Sequence, residues 1–271
     1  MPNLKKSAYL ALSGGMDSST LLLHLLARDY QVNAISFLYG QKHKVEIDCA
    51  INLVKYLAEK GYKINHHLVH LDGLSELLFS ALVDGGDVVP EGLYDGENMA
   101  ATVVPNRNKI FISILQAAAL SRAVEDNTTV CVALGIHSED HAVYPDCRPE
   151  FVNTDYQAFQ AGNWDAHKVI NYMPYLHSDK YGILKDGEEA CRQLNLDFNE
   201  IYKRTITSYK PNTEGISDYK SASSVQRIAA FIQLNRIDPV LYADENGIAD
   251  WNTVKAHVLS VLEENKIKIN L

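Results

Sequence analysis

The stretch Ala8-Tyr9-Leu10-Ala11-Leu12-Ser13-Gly14-Gly15-Met16-Asp17-Ser18-Ser19, running into Leu21, Leu22, Leu23, Leu25 and Leu26, decides the fold. Ala8–Leu12 is a short apolar run and reads as a strand. Ser18–Tyr30 carries enough leucine to predict a well-buried helix. Between them lies a loop built of glycine and serine. Glycines there let the backbone approach phosphate oxygens, and a new helix end supplies free N–H groups and a positive dipole. The Ser13, Ser18 and Ser19 hydroxyls add donors. Asp17 is placed either to cap the helix or to hold a magnesium ion.

The same alternation continues outward. Val32–Phe37 and Ile64–Val69 read as strands, and His43–Lys60 as a helix with apolar residues at 47, 50, 51, 54, 57 and 58. Ile110–Val124 predicts a helix and Thr129–Leu134 a fourth strand that ends at Gly135. Strand-helix alternation predicts an α/β, doubly wound parallel sheet with helices on both faces, whose ligands bind at the carboxyl ends of the strands. Residues 72–108 are rich in Gly, Asp and Pro with weak periodicity, and a loop of that length is usually functional or disordered. From about Asn171 the pattern turns helical, with Lys185–Arg204 and Ser221–Leu234 as segments. The reading is therefore a nucleotide-binding core over 1–170 and a helical C-terminal lobe over 171–271.

Composition narrows the function classes. The chain has 271 residues and a net charge of −9, from 25 Lys+Arg against 34 Asp+Glu, which disfavours an extended nucleic-acid surface. No stretch approaches the ~20 apolar residues of a membrane span, and the N-terminal apolar run breaks at Ser13, so a cytoplasmic setting is expected. Cys49, Cys131, Cys147 and Cys191 form no C-x-x-C pair, so neither a disulfide framework nor a zinc knuckle is indicated.

The loop lacks the lysine of the kinase and GTPase phosphate loop and the Gly-x-Gly-x-x-Gly of a dinucleotide fold. Ser13-Gly14-Gly15-Met16-Asp17-Ser18 instead resembles the Ser-Gly-Gly-x-Asp-Ser loop of N-type ATP pyrophosphatases, which split ATP between the α and β phosphates and leave an adenylate on the substrate. Four further segments point more narrowly: Phe37-Leu38-Tyr39-Gly40-Gln41-Lys42-His43-Lys44-Val45-Glu46; Val103-Val104-Pro105-Asn106-Arg107-Asn108; Ser138-Glu139-Asp140 running to Tyr144-Pro145-Asp146-Cys147-Arg148-Pro149-Glu150-Phe151; and Pro174 to Lys180. In this order, over roughly residues 7–240, they resemble the QueC family of 7-cyano-7-deazaguanine (preQ0) synthases.

The resemblance implies a Rossmann-like fold of the adenine nucleotide alpha hydrolase type. It implies ATP with Mg2+, and activation of 7-carboxy-7-deazaguanine followed by addition of ammonia to give an amide and, with a second ATP, a nitrile. Chemistry read from the residues agrees, because transfer of AMP to a carboxylate makes a leaving group and an electrophilic carbonyl. Arg107 has the charge and fork geometry for phosphate or carboxylate. Asn106 and Asn108 suit a purine-like edge. Asp140 and Asp146 suit either the guanidine-like edge of the base or magnesium, and Arg148 suits the substrate carboxylate. By resemblance, Lys180 reaches the ATP phosphates, Tyr39, Gln41 and Gly135 belong to the nucleotide site, and Tyr144 to the substrate site. His137 and His141 flank Asp140, where the family supplies no metal.

One region departs from the family. Where QueC proteins carry four zinc-binding cysteines, anchoring on Tyr209-Lys210 and Val225-Gln226-Arg227 gives Ser208, Asp218, Ser221 and Ser224. Neutral hydroxyls are poor zinc ligands, so no zinc is expected there. That departure leaves open a QueC-like antiviral defence enzyme that joins the deazaguanine carboxylate to a protein amine instead of ammonia. A degenerate nucleotide-binding scaffold and a tRNA-thiolation relative are further alternatives. The family also implies a homodimer.

Overall fold

The computed structural model describes residues 6–41, 45–80, 82, 102–208, 210–212, 214–267 and 269. Lys42, His43 and Lys44 of the second motif, residues 83–101 of the long loop, and the anchor Tyr209 lie outside the described residues.

The opening stretch folds as its pattern dictates. Strand β1 (Ser7–Ala11) runs to the loop, and helix α1 (Met16–Leu26) follows with all five of its leucines buried. Strand β2 (Gln31–Leu38), helix α2 (Val45–Glu59) and strand β3 (Ile64–His70) complete one wing. Helix α3 (Arg107–Glu125), strand β4 (Val130–Ala133), helix α4 (Pro149–Gly162) and strand β5 (Val169–Tyr172) build the other. The sheet is parallel throughout, in the order β3-β2-β1-β4-β5. The chain winds from β1 toward β3, then returns to β4 on the opposite side. The winding thus reverses between β1 and β4, and a crevice opens there at the strands' carboxyl ends.

Each sheet face has its own core. On one, Leu21, Leu22 and Leu25 of α1 pack with Leu53 and Leu57 of α2 and with Ile183 and Leu184 of helix α5 (Lys180–Gln193). On the other, Ile112, Leu115 and Ala119 of α3 pack with Val152 and Phe159 of α4. A third cluster joins helix α7 (Ala222–Gln233) to helix α8 (Trp251–Glu264) and to a hairpin, strands β6 (Tyr242–Asp244) and β7 (Gly247–Ala249). Among the described residues no helix is long and apolar enough to cross a membrane.

The sequence pattern misses β5. Only four residues pair with β4, and just Val169 is fully buried, so no alternation develops. The strand spans residue 170, where the sequence reading divides the chain, and α5 beyond it packs on α1 in the first core. The single helix expected over Lys185–Arg204 is two. The first starts at Lys180, where the Asp179 carboxylate caps it by accepting from the Gly182 N–H at 2.7 Å. It ends where Asn195 turns left-handed (φ 51°), and Asp197 caps the short α6 (Phe198–Tyr202). Such local side-chain caps are worth about 1 kcal/mol each, enough to break an apolar period that runs on.

Gly14 carries the tightest packing of the phosphate loop. Its φ is +91°, and a Cβ there would sit 2.0 Å from the Glu46 carbonyl oxygen and 2.9 Å from the Ala50 nitrogen of α2. Gly14→Ala is expected to cost at least about 2 kcal/mol, read as a lower denaturant midpoint. A wild-type midpoint would contradict this close approach.

Candidate functional site

The crevice at the winding reversal holds a cavity lined from both wings and from the C-terminal lobe. Its floor is the phosphate loop. Ser13 Oγ accepts from the Gly15 N–H (3.2 Å) and meets Ser18 Oγ at 3.0 Å, which ties the loop to the first turn of α1. Gly15 is the N-cap residue and brings no side-chain cap, so Asp17 does not cap the helix. The first N–H groups of α1 have no intrahelical partner and face the place where an anion would lie. Gly135, at the exit of β4, is needed for the same floor: a Cβ there would stand 3.1 Å from the Asp17 carbonyl carbon and the Ser18 nitrogen.

A charged cluster closes over this floor. Lys180 is buried, and its Nζ donates to Asp17 Oδ2 at 2.8 Å and to His137 Nε2 at 2.9 Å. His137 Nε2 also lies 3.3 Å from Asp140 Oδ2. Burial opposes the Lys180 charge, but Asp17 and Asp140 outweigh it and hold the ammonium above its ordinary pKa. Burial likewise opposes ionisation of Asp17, and Lys180 with His137 overcomes it, holding the carboxyl well below the usual carboxylate range. The cation is therefore present at neutral pH before any phosphate arrives. The pairing also changes what a substitution at Asp17 does: Asp17→Ala would remove both the counter-charge and the hydrogen-bond acceptor of a buried ammonium, whereas Asp17→Asn removes the charge and keeps an acceptor oxygen, so it is the cleaner probe.

The side walls differ in chemistry. Phe37 and Phe111 stack with centroids 4.1 Å apart and an interplanar angle of 3°, and Tyr39 meets Phe111 edge-on at 5.5 Å, giving a flat aromatic wall suited to a planar ring. Arg107 opens α3 and acts on the Tyr39 hydroxyl and the Glu46 carboxyl, both of which line the cavity. Cys147 also lines it; burial pushes its thiol up and disfavours the thiolate, and its Sγ accepts from Asn108 Nδ2 at 3.3 Å.

The cavity thus gathers Ser13, Gly15, Asp17, Ser18, Tyr39, Gln41, Arg107, Asn108, Gly135, Asp140, Tyr144 and Lys180 among the sequence-expected residues. Five others do not line it. Gly14 faces α2 and Ser19 is fully buried in the core side of α1. Asn106 is an exposed left-handed residue before α3. Asp146 accepts from the Asn108 N–H at 3.2 Å, and Arg148 is exposed, its Nε donating to the His141 carbonyl at 2.7 Å. His137, Glu46 and Phe111 enter unannounced, as do Thr207 and Ser223 from the lobe. Glu46 closes a quoted motif and His137 lies two residues past Gly135, but nothing in their spacing fixed their direction.

Two metals are tested by the donors present. Asp17 Oδ1 is buried without a hydrogen-bond partner, and an orphaned carboxylate oxygen beside a phosphate-binding floor fits magnesium, which takes one or two carboxylates plus phosphate oxygens and water. The positions that align with the family's zinc ligands do not fit zinc. Ser208, Ser221 and Ser224 bring neutral hydroxyls, and each hydrogen-bonds to Asp218 Oδ1, at 2.5, 2.8 and 3.2 Å. Among the described residues no group of three or more His, Cys, Asp or Glu is arranged to hold a metal.

Residues 7–235 match the family model described as queuosine biosynthesis protein QueC. The chain is 39% identical over 231 residues to 7-cyano-7-deazaguanine synthase 1 of Colwellia psychrerythraea, covering 85% of this chain and 95% of that one. It is 34% identical over 239 residues to the 7-cyano-7-deazaguanine synthase of a Marinomonas species, covering 88% and 99%. It is 37% identical over 235 residues to the 7-cyano-7-deazaguanine synthase of Methanoregula boonei, covering 87% and 98%.

Burial pushes the Glu46 carboxyl up to about 7 against the opposing pull of Arg107. Between the ordinary glutamate range and that value the folded state binds the extra proton, so stability falls as pH rises through the window and levels off above it. Glu46→Gln removes this loss. The melting temperature of Glu46→Gln minus that of wild type should therefore grow from pH 5 to pH 8, and a constant difference would contradict the shift.

Proposed function

The chain belongs to the QueC family, and on that premise we propose that its cavity makes and consumes an adenylate of 7-carboxy-7-deazaguanine, adding nitrogen to give the amide and then the nitrile. The observation that carries this reading is the convergence of the phosphate loop, Lys180 and Arg107 on one cavity that also has an aromatic wall. It is an ATP-dependent, carbon–nitrogen bond-forming ligase.

In the first step a carboxylate oxygen of the base attacks the α phosphorus of ATP; a new O–P bond forms and the bond to the β phosphate breaks. The N–H groups of α1 and the Lys180 ammonium hold the negative charge that builds on the phosphates. Arg107, at the opposite wall, orients the second anion, the carboxylate. Ammonia then attacks the carbonyl carbon, and AMP leaves with the bonding electron pair. The amide repeats the cycle: its oxygen takes AMP from a second ATP, and loss of that AMP with the remaining nitrogen protons gives the nitrile. Asp17 and Asp140 would hold magnesium, which supplies charge neutralisation for the departing diphosphate. Zinc has no part in this scheme, in keeping with the donors at Ser208, Asp218, Ser221 and Ser224.

Lys180 is kept charged by residues rather than by the nucleotide, so the cation costs no reorganisation when ATP binds. The Phe37–Phe111 wall gives the flat base an apolar face and keeps water from the adenylate. Tyr144, tied to Thr102 by a hydroxyl–hydroxyl bond of 2.9 Å, and Asn108 offer polar contacts along the base edge.

Incubation with ATP, magnesium, 7-carboxy-7-deazaguanine and ammonium, followed by mass analysis, should yield AMP, diphosphate and the nitrile. A product that stops at adenylate or amide would redirect the reading to an external amine as acceptor, and no base-dependent AMP at all would reduce the chain to a nucleotide-binding scaffold. Asp17→Asn and Arg107→Ala should each lower base-dependent diphosphate release by at least about 100-fold while the far-ultraviolet spectrum is kept. Omission of magnesium should abolish the release.

A further inference from the structure

The lobe-side wall of the cavity is formed by Ile206, Thr207 and Ser223. None of these belongs to the sheet, and the segment that carries the first two has no regular secondary structure. Something must fix them.

Asp218 lies at the point where their supports meet. Its Oδ1 accepts from the hydroxyls of Ser208 (2.5 Å), Ser221 (2.8 Å) and Ser224 (3.2 Å). Its Oδ2 accepts from the backbone N–H groups of Lys220 (2.8 Å) and Ser221 (2.5 Å). An ionised carboxylate offers about four lone-pair sites, so five donors saturate it. The three serines are almost completely buried, and each fastens a different place: Ser208 the irregular segment that follows α6, Ser221 the N-cap of α7, and Ser224 its first turn. Ser208 Oγ in turn accepts from the N–H groups of Lys210 (3.0 Å) and Asp218 (3.3 Å).

From this knot the connection to the phosphate floor is short. Two residues before Ser208, the Ile206 N–H donates to the Gly14 carbonyl at 3.1 Å. Between them, Thr207 Oγ1 accepts from Arg227 Nη1 at 3.2 Å, and that guanidinium is itself held by the buried Asp238 through bonds of 2.7 and 2.9 Å. Ser223, flanked by the knot on α7, keeps a buried Oγ with no hydrogen-bond partner. Its neighbours in the chain are fixed and its own hydroxyl is left over.

We propose that Asp218 is a positioning residue that sets the lobe-side wall and the Gly14 end of the phosphate loop by hydrogen bonds alone, doing without the metal ion that the family places there. The carboxylate supplies what a cation would supply with reversed polarity: one charged centre on which side chains from separate segments converge. Zinc draws in electron-pair donors, whereas this anion draws in hydroxyl and amide protons, so the flanking ligands have become serines. The proposal rests on the nucleotide reading of the cavity, but not on the identity of the base or of the nitrogen donor.

The test uses the full chain, metal analysis of the purified protein, and ATP affinity by calorimetry beside base-dependent diphosphate release. Wild type should hold only substoichiometric zinc and should keep its activity in a zinc-selective chelator when magnesium is in excess. Asp218→Ala should weaken ATP and raise the KM for the base by about tenfold each, the loss of roughly one charge-assisted hydrogen bond, with a smaller fall in kcat. Ser224→Ala, which removes only the longest bond, should move both in the same direction by less, and it serves if Asp218→Ala does not fold. Stoichiometric zinc whose removal abolishes activity would overturn the proposal. So would variants that melt earlier but keep wild-type ATP affinity and KM, because the knot would then be structural only. Wild type that binds ATP yet releases no diphosphate with the base would sink the function proposed above and leave this inference to be judged on ATP affinity.

Discussion

A lysine ammonium inside a protein has to be held charged by its surroundings, and the rest of this site is arranged around that requirement. Lys180 and Asp17 are 163 residues apart in sequence and 2.8 Å apart in space. Burying either one alone would cost several kcal/mol, and with His137 they satisfy one another in part, leaving Asp17 Oδ1 and His137 Nδ1 without partners. The contact works only if three elements arrive in register: α1 with its loop, the exit of β4, and the start of α5. Parallel pairing of β1 with β4, from Ser7 opposite Val130 to Leu10 opposite Ala133, sets the first two. Packing of α5 on α1 and the Asp179 cap set the third. The sheet order and the charged cluster are one constraint seen at two scales.

Much of this was legible in the chain because it depends on local chemistry. A strand, a glycine-serine loop and a leucine-rich helix specify their own geometry, and the phosphate floor follows from them. Arg107 was readable from its charge and fork geometry within a short polar motif, and Lys180 only by its resemblance to the family's lysine, since the helices were expected to begin at Ile110 and Lys185. The side chains that decide the cavity's electrostatics were harder to see. His137 reads as a loop histidine beside a carboxylate, and only the fold brings the Lys180 Nζ to its Nε2. Glu46 carries no sign in its own segment that Arg107 will stand across from it. Conversely, Asn106, Asp146 and Arg148 sit in the right motifs but do not line the cavity: Asn106 takes up a left-handed turn, and Asp146 and Arg148 are held by the Asn108 amide and the His141 carbonyl. The four-residue β5 was invisible for a different reason: an edge strand of that length has too few buried positions to show a period of two.

At the positions of the C-terminal lobe that align with the family's zinc ligands, three serine hydroxyls converge on one carboxylate. A structural metal can contribute on the order of 10 kcal/mol to a small module, far more than any single hydrogen bond. The Asp218 knot does not need to match that figure, because the lobe has other support. Its third hydrophobic cluster packs Val225, Ile228 and Ile232 against Val254, Val258 and Leu262, and the buried Arg227–Asp238 pair ties Thr205 and Thr207 to the same helix. Stability is thus spread over apolar burial and a buried ion pair, and the knot is left with geometry.

That division has a consequence for catalysis. A metal centre fixes its ligands by short, stiff bonds, whereas hydroxyl donors around one carboxylate can shift by rotation while keeping their protons on the same oxygen. The neighbours of Thr207 and Ser223 in the chain are held by such hydrogen bonds, while the floor is pinned by Gly14 against α2 and by Gly135 against α1. A rigid phosphate floor keeps the α phosphorus where the attacking carboxylate needs it, since small displacements of reacting groups cost large factors in rate.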